Sequence, residues 1–207
     1  MLKKKWFFAS SGSKQDYSLL RDAGYPRLVG MVLCNRGINT PILAKKFFSP
    51  TLQDLEDPWL LPDVEKGLER VSRAIKKREK ILVFGDYDVD GTTGTTILYK
   101  ALKEIGGDVC YYLPHRLEEG YGLNLSALDN FALSGVKLII TVDCGTTNIK
   151  EVEYARKLGI DVIITDHHEP DDENIPCSYA LINPKMKNSS YPFPYLAGVG
   201  VVLKFIQ

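Results

Sequence analysis

The sequence lacks long apolar runs, closely spaced cysteines and repeats. Its longest unbroken apolar stretch is five residues, Val109 to Leu113, far short of the roughly 20 that a membrane-spanning helix needs. No membrane partner is therefore expected. Lys3, Lys4 and Lys5 precede an apolar patch of only four residues, Trp6 to Ala9, too short for the core of a secretory signal, which makes the cytoplasm the expected location. The four cysteines, Cys34, Cys110, Cys144 and Cys177, stand 76, 34 and 33 residues apart. With no Cys-x-x-Cys pair to suggest zinc or redox chemistry, buried free thiols are expected. There is no internal repeat and no low-complexity tract to suggest a solenoid or a linker.

The composition, 207 residues with 44% hydrophobic and 25% charged, is that of one ordinary globular domain or two small ones. Net charge is zero, but the zero conceals a split: 16 Lys and Arg stand against 9 Asp and Glu up to Lys80, and 10 against 17 beyond it. A basic, partner-facing arm on an acidic catalytic half would give these counts, and so would an evenly solvated helical surface.

Up to about residue 79 the pattern is helical and loop-like, broken into short pieces by Pro41, Pro50, Pro58 and Pro62, and no strand stands out. In Pro62 to Lys80, Val64, Leu68, Val71 and Ile75 recur at helical spacing, predicting an amphipathic helix with a basic end. From Lys80 the pattern alternates. Strands are expected at 81–84, 108–113, 136–142 and 161–165, with helices near 92–105, 126–133 and 148–158 between them. The expected fold class is α/β, a mainly parallel sheet flanked by helices, with residues 1–79 a helical/loop region and 80–207 the domain that holds the sheet.

In an open parallel sheet ligands bind at the carboxyl ends of the strands. Three of those ends are acidic here: ILVFG runs into Asp86, Asp88 and Asp90, LIITV into Asp143, and VIIT into Asp166, His167 and His168. Five aspartates crowded on one edge repel one another unless protons or cations neutralise them. Carboxylates with one or two imidazoles suit Mn²⁺ or Mg²⁺, and two ions are plausible with so many ligands. An EF-hand reading of DYDVDG fails, because position twelve is Ile97 rather than glutamate and a strand precedes the loop. Taken singly, Asp143 is an ordinary turn or cap residue and the two histidines an ordinary surface loop. The coincidence of all three strand ends favours a metal site.

These motifs resemble the DHH phosphoesterase family, so called for the Asp166-His167-His168 triplet, and within it the single-strand-specific exonucleases. The resemblance rests on GDYDVDGTTGT (85–95), VDCGTTN (142–148) and DHH, together with LPHRLEEGYGLN (113–124), INPK (182–185) and LAGVGVVLKF (196–205). RGI at 36–38, FFSP and LEDPWLLPD extend it to the N-terminal region. Oligoribonucleases and family II pyrophosphatases usually begin with a histidine-led HxxxDxD motif, whereas Phe84 stands four residues before Asp88.

The resemblance implies that Asp88, Asp90 and Asp143 ligate two metal ions, with Asp143 bridging, His167 completing one shell and Asp86 assisting. It implies further that His168 faces the scissile phosphate and that Asp166 orients the histidines. Two ions held there would acidify a water for in-line attack on phosphorus, with no covalent intermediate required. Arg116 is similar to the family's 5′-phosphate-binding arginine and Tyr121 to a tyrosine that contacts the terminal nucleotides, giving polarity without sequence preference. From the residues alone, a salt bridge of Arg116 with Glu118 or Glu119 and a half-buried Tyr121 account for them as well. Gly198 and Gly200 precede a helix, where their N–H groups can approach a phosphate or simply permit tight packing.

The chain stops at Gln207 within an amphipathic run that no glycine, asparagine or proline ends, so it is expected to be a fragment, truncated before the family's fourth aspartate motif and C-terminal domains. Such a fragment is expected to be weakly active or inactive. The expected function is 5′-to-3′ hydrolysis of single-stranded DNA in recombination and repair, alongside replication and repair proteins. Two alternatives stand: an oligoribonuclease or small phosphoesterase, and a non-catalytic replication factor of the same fold.

Overall fold

The computed structural model describes Lys5, residues 13–115, Gly120, 122–171 and 173–207. It divides into two compact units, Met1–Leu55 and Glu56–Gln207. The first holds three short helices: α1 (Lys14–Asp22), α2 (Arg27–Asn35) and α3 (Pro41–Phe48). Ser13 and Asp16 cap the start of α1 reciprocally, and Thr40 followed by Pro41 starts α3, satisfying N–H groups that have no partner inside the helix. Their small core is Leu20, Leu33, Cys34 and Ala44, with Tyr17, Tyr25, Val29 and Ile38 packed against it.

The second unit opens with α4 (Val64–Lys76), the amphipathic helix expected from its apolar stripe. Arg70 on this helix is buried, and its guanidinium meets Asp161 Oδ2 at 2.5 Å, Glu79 Oε2 at 2.7 Å and the Lys137 carbonyl at 3.2 Å. A buried charge is tolerated only when paired in this way, and the pairing ties α4 to the amino-terminal ends of two strands.

Five parallel strands follow, β1 (Lys80–Gly85), β2 (Asp108–Tyr112), β3 (Val136–Val142), β4 (Asp161–Thr165) and β5 (Ala180–Ile182), in the order β2-β1-β3-β4-β5. The strands read as near-continuous apolar runs because both faces are covered. Ile81, Val83, Leu138, Ile140 and Val142 point to the face where α4, α5 (Val89–Glu104) and α8 (Gly198–Ile206) pack. Leu82, Phe84 and Ile139 point to the face of α6 (Leu125–Leu133) and α7 (Ile149–Lys157). The helix after β1 therefore leaves toward one face and the helix after β3 toward the other, which opens a crevice between the carboxyl ends of these neighbouring strands.

The α/β class and the parallel sheet are as expected from the sequence. Three details differ. The fifth strand was not expected, since three residues are too few for a periodicity. Helix α5 begins at Val89 rather than near Thr92, because the Asp88 side chain accepts from the Gly91 N–H at 2.9 Å and caps the helix. Cys177 is exposed rather than buried, on the loop between β4 and β5, where Arg156 donates to its Sγ at 3.2 Å. Among the described residues no helix is long and apolar enough to cross a membrane.

Gly94 sets how closely α5 approaches the sheet and α8. A Cβ there would lie 2.6 Å from Val142 Cγ1 and 3.4 Å from Val199 Cα. Gly94→Ala is expected to destabilise the fold by about 1–3 kcal/mol through overpacking, seen as a lower urea midpoint with unchanged slope. A wild-type midpoint would mean that α5 moves off β3 at no cost.

Candidate metal centre

Parallel register continues one residue beyond three strands. The Asp86 N–H donates to the Val142 carbonyl (3.1 Å), that of Asp143 to Thr165 (3.0 Å) and that of Asp166 to Ile182 (3.1 Å). Asp86, Asp143 and Asp166 thus stand side by side along the carboxyl edge, each at most 5% exposed. Asp143 adopts a left-handed conformation, φ 61°, which aspartate tolerates better than most residues and which turns the chain away from the strand.

Two sets of possible ligand atoms converge here, each within 4.8 Å: Asp86, Asp88 and Asp143, and Asp143, His167 and His168. Asp143 belongs to both. Its Oδ1 lies 3.1 Å from His167 Nε2. Burial, then the nearby charges of Asp90 and Asp88, push its carboxyl up to about 8. Burial likewise raises Asp86, whose Oδ1 is enclosed without a hydrogen-bond partner. Enclosed carboxylates that repel one another, one with an unsatisfied oxygen, fit a divalent cation, and a donor set of oxygens with one or two imidazoles fits Mn²⁺ or Mg²⁺ better than zinc.

Asp90 stands beside these sets. Its carboxylate accepts from the Gly198 and Val199 N–H groups, both at 2.6 Å, and lies 3.6 Å from His167 Nε2. Gly198 and Gly200 are inside α8 rather than before it, and the Gly198 N–H is directed at Asp90, where a phosphate contact had been considered. Helix α8 has no capping side chain of its own, so Asp90 supplies the negative charge that its N-terminus favours. Only glycine fits at 198, since a Cβ would sit 2.6 Å from Asp143 Oδ1.

Asp166 holds the histidine loop. Its Oδ1 contacts His168 Nδ1 at 2.7 Å and accepts from the His167 and His168 N–H groups, while Oδ2 accepts from the Thr146 N–H at 2.9 Å. Burial opposes its charge, but the bonds to His168 and Thr146 hold the carboxyl below the usual range. Asp166 in turn raises the His168 imidazole, against burial, so His168 keeps its proton to higher pH than a free histidine. Fully buried Asn183, one residue past β5, donates to the His168 carbonyl at 2.9 Å and to Thr146 Oγ1 at 3.2 Å. Asn183 and Thr146 stand in the INPK and VDCGTTN motifs, but nothing in the sequence assigns either a role of its own. The rule applied to the other strand ends reaches Asn183 only once β5 is seen to end at Ile182. Arg116 and Tyr121 lie outside the described residues.

Asp143 has a folded pKa above its unfolded value, so the metal-free protein loses stability as pH rises from about 4 to about 8, and a cation must displace this proton. At a fixed sub-saturating Mn²⁺ concentration the gain in melting temperature is expected to be larger at about pH 8 than at about pH 6. Equal gains would contradict the assignment of Asp143 as a ligand. Asn183→Ala is expected to weaken Mn²⁺ binding about tenfold by loosening the histidine loop. Unchanged affinity by calorimetry would limit Asn183 to packing.

The family model "DHH family, N-terminal domain" matches residues 80–207. The single-stranded-DNA-specific exonuclease RecJ of Bacillus subtilis is 38% identical over 202 residues, 98% of this chain and 26% of that protein. The Escherichia coli protein of the same name is 38% identical over 181 residues, 86% of this chain and 30% of its own length. The chain thus spans about a quarter to a third of these relatives. Among solved structures, an exonuclease RecJ bound to manganese aligns over 70% of this chain and 37% of its own, with 35% identity and a TM-score of 0.62. Thermus thermophilus RecJ in complex with Mn²⁺ covers 93% of this chain and 26% of its own, with 26% identity and a TM-score of 0.68. With the three acidic strand ends, the Asp-His-His loop and a family match over residues 80–207, the chain belongs to the DHH family.

Proposed function

We propose that this chain carries the metal centre of an exonuclease that hydrolyses single-stranded DNA from the 5′ end toward the 3′ end, in the cytoplasm, during recombination and repair alongside other proteins of those processes. The observation that carries the reading is the pair of ligand sets sharing Asp143 at the carboxyl edge. The names of the relatives and the manganese in their structures support it. In this reading residues 80–207 are the catalytic domain and residues 1–79 a helical extension, although α4 falls in the same compact unit as the sheet.

Asp86, Asp88, Asp143 and His167 would hold two Mn²⁺ or Mg²⁺ ions, with Asp90 beside them. Bound there, the ions supply an acidified water and positive charge toward the phosphodiester. His168, with its side chain 45% exposed and its Nδ1 paired with Asp166, donates from Nε2 to a phosphate oxygen as negative charge develops. Arg116 takes a 5′ phosphate and Tyr121 stacks on terminal bases. Cys144 is no nucleophile, since complete burial holds its thiol well above the usual range.

The test is Mn²⁺-dependent mononucleotide release from 5′- and 3′-labelled single-stranded DNA by a chain extended past Gln207. The 5′ label is expected to leave first, Asp143→Ala to abolish release, and His168→Ala to lower kcat about 10²–10³-fold with little change in KM. Inert long DNA beside rapid cleavage of dinucleotides would overturn the proposal in favour of an oligoribonuclease.

A further inference from the structure

We propose that the groove between α1 and α2 of the helical unit is a second binding surface for single-stranded nucleic acid, distinct from the metal centre. It rests on the exonuclease reading only for the identity of the polyanion. Lys14, Tyr17 and Arg21 follow at spacings of three and four along α1, which sets them on one helix face. Tyr25 in the following turn and Arg27 in the first turn of α2 line the same groove. Gly30 also lines it, and a Cβ there would come no closer than 3.7 Å to Leu20.

Cation and phenol alternate in chain order through these five residues, Lys14, Tyr17, Arg21, Tyr25 and Arg27. A nucleic-acid strand has the complementary alternation of phosphate and base, with charge attracted to the cations and bases stacking on the rings. An acidic peptide would use the cations but leave the rings without stacking partners. Tyr25 is held in place by stacking on Phe48, with ring centroids 5.6 Å apart. The nearest competing charge is Asp22, 3.0 Å from Arg21, with side chains 71% and 63% exposed. A surface pair of this kind is worth little and yields to a phosphate.

Charge complementarity extends beyond the groove. Residues 1–55 hold nine Lys and Arg against three Asp, whereas 56–207 hold 17 against 23. A polyanion is attracted to the first unit and repelled by most of the second until metal ions bind. Three of the nine cations, Lys14, Arg21 and Arg27, line the groove itself.

The test is fluorescence anisotropy of labelled oligothymidylate with the whole chain, in EDTA so that no hydrolysis occurs, over a range of NaCl concentrations. Arg21→Gln with Arg27→Gln, both exposed positions, is expected to weaken binding about tenfold and to flatten the plot of log Kd against log salt by about 1.4. Lys45→Gln with Lys46→Gln removes the same charge from α3 and is expected to change affinity less than about twofold. Equal effects of the two pairs, no effect of the first, or displacement of the DNA by polyglutamate at equal charge would each overturn the proposal. Mn²⁺-dependent cleavage is measured separately on the same variants. Binding that depends on Arg21 and Arg27 beside rapid cleavage of dinucleotides and inert long DNA would sink the exonuclease reading and leave the groove standing, and cleavage of long DNA with unaltered binding would do the reverse.

Discussion

Parallel register is the constraint on which the site depends. Strands β1, β3 and β4 end in step, so the residue after each is carried to the same edge by one further ladder bond, and that residue is aspartate three times. Burying like charges side by side is costly, and the structure meets the cost in two ways. Asp166 is surrounded by donors and stays ionised without help. Asp86 and Asp143 lack enough of them and are driven toward the protonated form, the condition that a divalent cation relieves.

Much of the packing around the edge serves to hold these carboxylates and the histidine loop. Gly94 lets α5 close against β3 and α8, and Gly198 lets the start of α8 come against Asp143. Asp90 then anchors that helix start through two N–H groups. On the other side Asn183 and Thr146 fix the loop that carries the histidines. Two helices, a strand end and a tight turn from distant parts of the chain therefore converge on five aspartates and two imidazoles.

The strands were legible because buried parallel strands read as short β-branched runs, and the acids because they follow those runs directly. What the sequence hid is of two kinds. Strand β5 is three residues long and carries no periodicity, which kept Asn183 from being recognised as a strand-end residue. The partnership of Asp90 with Gly198 and Val199 joins residues 108 and 109 positions apart, and no local pattern records such a contact. The glycines of LAGVGVVLKF were recognisable as special, but the reason for Gly198 is the carboxylate of Asp143 and the close approach to Asp90, whereas Gly200 faces only Leu196.

The most direct measurement is Mn²⁺ binding followed by the loss of free-ion electron paramagnetic resonance signal, comparing the wild type with Asp143→Asn and Asp86→Asn. Because Asp143 belongs to both ligand sets and Asp86 to one, Asp143→Asn should abolish high-affinity binding altogether while Asp86→Asn leaves part of it. Wild-type binding by Asp143→Asn would contradict the claim that register at this edge builds a metal centre.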